Sequence, residues 1–132
     1  MNKKQIDRVR EIISNDCGTA DEHFGSSSKD VEELVNGPTC VVGAFISDGY
    51  KQGKIEDSDV LEISRVYNED CMDDVPSWVD DLLYTEYGID EYLSAKLQYA
   101  NDIIRGNEPN NVEVRRRSVL QAFSDWLDKE NS

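Results

Sequence analysis

Apolar residues recur at helical spacing along most of this chain. Ile6, Val9, Ile12 and Ile13 give one apolar face to a helix from about Lys3 to Asp16, with Gly18 as its stop. Residues 18–37 read as a long loop with a short helical turn inside; Gly25 and Ser26 to Ser28 mark its centre, and Val31 and Leu34 tether its end. Pro38 opens a second element, Thr39 to Ile46, in which nearly every residue is apolar or small. Such a short run fits a buried helix or a buried strand. Helix is the consistent choice because every neighbouring segment reads as helix.

Asp57, Ser58 or Asp59 caps a third helix to about Asn68. Pro76 opens a fourth, with Trp78, Val79, Leu82 and Leu83 along it and Gly88 at its end. Asp90 caps a fifth, which carries Tyr92, Leu93, Leu97, Ala100, Ile103 and Ile104 and stops at Gly106. The last helix covers about 111–128, with Val119, Leu120, Phe123, Trp126 and Leu127 on its apolar face. There is no hairpin signal and no internal repeat. The pattern predicts an all-α fold: a compact bundle of five or six helices, with residues 1–132 as one helical domain.

Composition adds one strong feature. The chain has 132 residues and a net charge of −14, and most of that charge is local. Glu56 to Glu91 holds thirteen acids against one base, Arg65. Acidic disordered tails lack apolar residues, whereas this segment contains Val60, Leu61, Ile63, Trp78, Leu82 and Leu83, so it is expected to fold. The longest apolar run, Cys40 to Ile46, is far short of the roughly 20 residues a membrane helix needs. No apolar signal region follows the charged start, and three cysteines (17, 40 and 71) suit free thiols in a reducing compartment. A cytoplasmic protein is expected. Strong acidity argues against direct contact with nucleic acid or an anionic membrane.

Candidate chemistry is sparse. Cys17, His23, Cys40 and Cys71 match no paired zinc-knuckle spacing, and Asp70 to Asp81 lacks the glycine of a calcium loop. A Cys17–His23 dyad would lack a third group and an oxyanion hole. There is no phosphate-binding glycine loop. Hence no catalytic residue, metal or cofactor is expected. Arg115, Arg116 and Arg117 form the only basic cluster, in the first turns of the last helix, where the helix dipole disfavours cations. They are expected either to dock on the acidic segment as an internal clamp or to form a solvated face.

Two patches resemble a family of small uncharacterised helical proteins of actinobacteria and their phages. One is Cys40-Val-Val-Gly43-Ala44 after an N-terminal helix; the other is Asn101-Asp102 followed by Val119-Leu120-x-Ala122-Phe123. The family has a tryptophan where this chain has Ala100, and its stretch between the patches is shorter. The resemblance covers about half the chain. It implies a small helical domain and a phage setting, and it carries no activity. Physically, Gly43 and Ala44 permit close helix contact, while Asn101 and Asp102 face solvent or bond to a neighbouring loop.

The functional expectation is an acidic phage or mobile-element accessory protein that binds a basic host protein. It would act as a nucleic-acid mimic or an inhibitor of host defence, with Asp73, Asp74, Asp80, Asp81, Glu86, Asp90 and Glu91 as contacts. Interleaved Trp78, Tyr84, Tyr87 and Tyr92 would supply hot-spot contacts. Solubility alone also accounts for such charge. The alternative is a small helical enzyme or ligand-binding domain using the 18–37 loop as a lid. Nothing in the pattern specifies an oligomeric state.

Overall fold

The computed structural model describes residues 1–16, 30–37, 40–69, 77–102 and 112–130. These form seven helices and no strand: α1 (Lys3–Asp16), α2 (Val31–Asn36), α3 (Val41–Lys51), α4 (Asp57–Glu69), α5 (Ser77–Tyr87), α6 (Glu91–Asp102) and α7 (Val112–Glu130). The all-α expectation holds, but the count exceeds five or six. The extra element is α2, the short turn expected within the 18–37 loop. Asp30 caps it by accepting the Glu32 N–H at 3.0 Å, and Leu34 and Val35 bury themselves below it. Six residues are too few to form a helix alone, so burial of that apolar pair must hold it.

The bundle is organised around α3, which packs against α1, α2, α4, α5 and α6. Nine consecutive residues, Val41 to Gly49, are buried, as expected of an element that is apolar all round. Its sequence is rich in β-branched residues, so burial rather than propensity makes it a helix. The Gly43 N–H approaches the Cys40 Sγ at 3.4 Å, which makes Cys40 the cap. The helix also runs five residues past Ile46. Gly49 lets α5 come close, since a Cβ there would sit 3.2 Å from Leu82 Cδ2. The end is a paired closure: Gly53 N–H bonds the Tyr50 carbonyl at 3.0 Å, and Lys54 N–H bonds the Gly49 carbonyl at 2.9 Å. Gly53 takes φ 75°, open to glycine at little cost.

Side-chain caps fix the other starts. Asn2 and Gln5 exchange reciprocal bonds at the head of α1, with the Gln5 N–H on Asn2 Oδ1 at 2.8 Å. For α4 the capping position is Glu56, not one of residues 57–59. Asp59 reaches back to the Glu56 N–H at 2.9 Å, as the third residue of a capping box does. Asp57 instead accepts the Tyr50 hydroxyl at 2.6 Å, a bond that raises the tyrosine's pKa and ties the end of α3 to the start of α4. Asp90 caps α6 as expected, accepting the Leu93 N–H at 2.7 Å.

The long α7 lies along α6 and α1. Val119, Phe123, Trp126 and Leu127 are buried, with Leu120 packed against them. Arg115 is buried too, one turn ahead of Val119 on the same face. Arg116 donates to the Asn15 carbonyl at 2.7 Å, while Arg117 is exposed. The last turn of α1 has no basic residue of its own, so Arg116 supplies a cation and a donor to its negative end. That contact with α1 helps to offset the unfavourable position of Arg116 on α7; residues 70–76 of the acidic segment, where a clamp would also act, lie outside the described residues. Asn101 is fully buried, so it does not face solvent.

Candidate functional site

The acidic residues proposed as contacts divide by role. Asp80 and Asp81 are exposed on α5, and Glu91 is exposed at the start of α6. Asp90 is also exposed, but one of its oxygens caps α6. Glu86 is half-buried and lies 3.8 Å from Lys54. Asp73 and Asp74 lie outside the described residues, as do Cys17, His23 and Cys71. Among the exposed acids stand Tyr84 and Tyr92, at 66% and 60% exposure; Tyr99, two turns along α6 from Tyr92, is equally open. Lys96 rests 5.5 Å from the centre of the Tyr92 ring, a weak cation–π contact that holds the ring in place. Trp78 and Tyr87, by contrast, are turned inward: Trp78 is partly buried and Tyr87 is part of the core.

The Lys54–Glu86 bridge separates two clefts. One, of about 580 Å³, opens between α1, the end of α3 and α5, with Gln5, Arg8, Glu11, Gln52 and Tyr87 among its walls. The other, of about 410 Å³, lies between the start of α4 and α5 and is lined by Ile55, Trp78, Leu82, Asp59, Asp81 and Thr85, with Lys54 and Glu86 at its edge. Both partners of the bridge are substantially exposed, so it contributes under about 1 kcal/mol. The paired closure of α3 is what places Lys54 there.

Behind the larger cleft is a network that the sequence reading missed. Asp48 is buried near the end of α3 and accepts three donors. Tyr87 Oη donates to Oδ2 at 2.5 Å, Gln52 Nε2 to Oδ2 at 2.7 Å, and Arg8 Nη2 to Oδ1. The Phe45 carbonyl is a second, longer acceptor for Tyr87 at 3.3 Å. Arg8 also pairs with Glu11 at 3.4 Å. Burial is the largest influence on the Arg8 guanidinium and lowers its pKa, yet the bond and charge of Asp48 carry it net upward. Burial first, then the bond to Asp48 and its charge, push the Tyr87 phenol far above its ordinary value. Tyr87 therefore stays neutral and acts as a donor. Three donors on one carboxylate fix its position between α1, α3 and α5. An acid two residues after an apolar run, Ile46-Ser47-Asp48, was the available signal.

The raised phenol pKa has a testable consequence. Its stabilising contribution is fully present below the ordinary tyrosine value of 10.0 and is lost as pH rises from there, because the unfolded chain ionises first. Urea unfolding of wild type and Tyr87→Phe from pH 7 to 11 should show the wild-type advantage constant up to about pH 10. Above that it should shrink by at most ~1.4 kcal/mol per pH unit. Titration of the lysines and other tyrosines cancels between the two proteins. Parallel pH profiles for the pair are the result that overturns this assignment.

Among the described residues, no three His, Cys, Asp or Glu side chains converge in a way that would hold a metal ion. No described helix is long and apolar enough to cross a membrane. Comparison with known proteins returns no significant match to a family model, a curated protein or a solved structure.

Proposed function

We propose that this is a non-enzymatic interaction protein that binds a basic partner protein through α5 and the start of α6, as a mimic of nucleic acid. One observation carries the reading. Asp80, Asp81, Asp90 and Glu91 are exposed beside two open tyrosines, Tyr84 and Tyr92. Residues 77–102 hold six acids and a single base, Lys96, so this surface carries a strongly negative field. Fixed carboxylates on rigid helices steer a cationic partner, and aromatic side chains add contact energy that charge alone does not. The family resemblance adds a phage or mobile-element setting, in which the partner is a host nucleic-acid-binding protein such as a defence nuclease.

The test is capture of basic proteins from host lysate at about 50 mM and about 500 mM salt, a range over which the screening length falls more than threefold. Retention at low salt, loss at high salt and displacement by duplex DNA support mimicry. The fourfold variant Asp80→Asn, Asp81→Asn, Asp90→Asn, Glu91→Gln should lose the partner at every salt concentration; asparagine at 90 keeps the cap. If no basic protein is retained at low salt, the reading fails. The α1–α5 cleft of about 580 Å³ favours a second reading, a ligand-binding domain. A small molecule that protects Arg8 and Gln52 and ignores the fourfold variant would support that one instead.

A further inference from the structure

We infer that the cleft between the start of α4 and α5 is the anchoring pocket for one arginine side chain of the basic partner, an inference that rests on the function proposed above. The pocket is more than a patch of acids. Its walls combine apolar Ile55, Leu82 and the indole of Trp78 with the carboxylates of Asp59, Asp81 and Glu86. Among the described lining residues Lys54 is the only cation, and it is already set against Glu86. The site is therefore apolar on one side and carries an excess of two negative charges on the other. At about 410 Å³ it falls within the range of pockets that hold small ligands or single side chains.

That combination selects its occupant. A long aliphatic stem with a cationic head lays its methylenes on Ile55 and Leu82 and its charge between Asp59 and Asp81. Arginine fits better than lysine for two reasons. Its planar guanidinium donates in a fork that spans two carboxylates, and it stacks on an indole. Asp59 has one oxygen engaged with the Glu56 N–H, which fixes the carboxylate and leaves the other oxygen for a ligand. Asp81 is exposed and free to turn inward. The Trp78 indole also offers a local reporter. Trp78 Nε1–H is buried and has no acceptor among the described residues. The arginine is taken to belong to the basic partner protein, so it arrives within a peptide rather than as a free cation.

The experiment is an NMR titration that follows the indole N–H resonance of Trp78, assigned by its loss in Trp78→Phe. The probes are acetyl-(Arg-Gly)4-amide, the same peptide with citrulline, and the same peptide with lysine. The arginine peptide should shift the Trp78 resonance, the citrulline peptide should not, and the lysine peptide should bind at least threefold more weakly. Asp81→Asn should weaken the arginine peptide at least fivefold, and Asp59→Asn with Asp81→Asn at least tenfold. Because Asp59 also caps α4, the exposed single variant carries the test if the double variant fails to fold. Equal binding of citrulline or lysine peptides overturns the arginine assignment. Binding lost on neutralising Asp80 and Glu91 but unchanged in Asp81→Asn overturns the pocket and leaves the basic-partner reading standing. No response to the arginine peptide on any residue defeats both.

Discussion

Replacing Asp48 with alanine should lower the unfolding free energy by about 3 kcal/mol, the cost expected when one partner of a buried ionic network is removed. The substitution leaves the Tyr87 hydroxyl with only the longer Phe45 carbonyl, Arg8 with only the exposed Glu11, and Gln52 without this acceptor. Arg8 is 38% exposed and regains water, which keeps the loss at the lower end of the usual range. Two local terms act the other way. Alanine is the better helix former by up to ~0.7 kcal/mol, and an acid near a helix C-terminus is opposed by the dipole. The wild-type residue is thus locally unfavourable and is kept by its three tertiary donors. For a chain of this size the loss corresponds to a fall of about 10 °C in Tm, measurable by calorimetry. Asp48→Asn keeps one acceptor and should cost about 2 kcal/mol. The effect should persist in molar salt, because the network is buried. A loss below about 1 kcal/mol for alanine would show that water screens the network.

Phe45→Ala should be larger still, about 4 kcal/mol by urea unfolding with an unchanged m-value. Phe45 is 1% exposed in the central helix, and its ring lies 5.0 Å from that of Tyr87 at an interplanar angle of 55°. The tilted pair adds about 1 kcal/mol to the loss from the cavity. Phe45→Leu conserves much of the volume and should cost under about 1.5 kcal/mol. Phe45 and Asp48 lie three residues apart on α3 and both touch Tyr87. Their losses should therefore fall short of additive by about 1 kcal/mol in a double-mutant cycle. Full additivity would mean that Tyr87 does not link them.

Much of this was legible in the sequence, because most helices here are amphipathic. The face of α1 was readable from Ile6, Val9, Ile12 and Ile13, and that of α7 from Val119, Phe123, Trp126 and Leu127. Arg115 followed the same register, four residues before Val119, yet its charge suggested a clamp on the acidic segment or a solvated face rather than a place in the core. Helix α3 was harder. With every face buried it has no periodicity, so nothing marked its end, and Asp48 fell beyond the element expected to close at Ile46. Its role depends on Arg8 and Tyr87, 40 and 39 residues away, and local pattern carries no such pairing. The acidic surface was legible as charge. Its division into exposed carboxylates, a helix cap and an ion pair required the neighbours of each residue. The α4–α5 pocket joins Asp59 to Trp78 and Asp81 across the intervening chain, a proximity that no spacing rule conveys.

The bond from Arg116 to the Asn15 carbonyl spans 101 residues and gives α1 a schedule. At translation rates of about 5–20 residues per second, the first helix waits on the order of 5–20 s for the residue that finishes it. During that interval its last turn lacks its capping cation and the cover of α7. Ile12 and Ile13, fully sequestered in the finished bundle, are then available to chaperones or to other nascent chains. Synthesis rate, and not only sequence, therefore bears on how much of this protein reaches its native state.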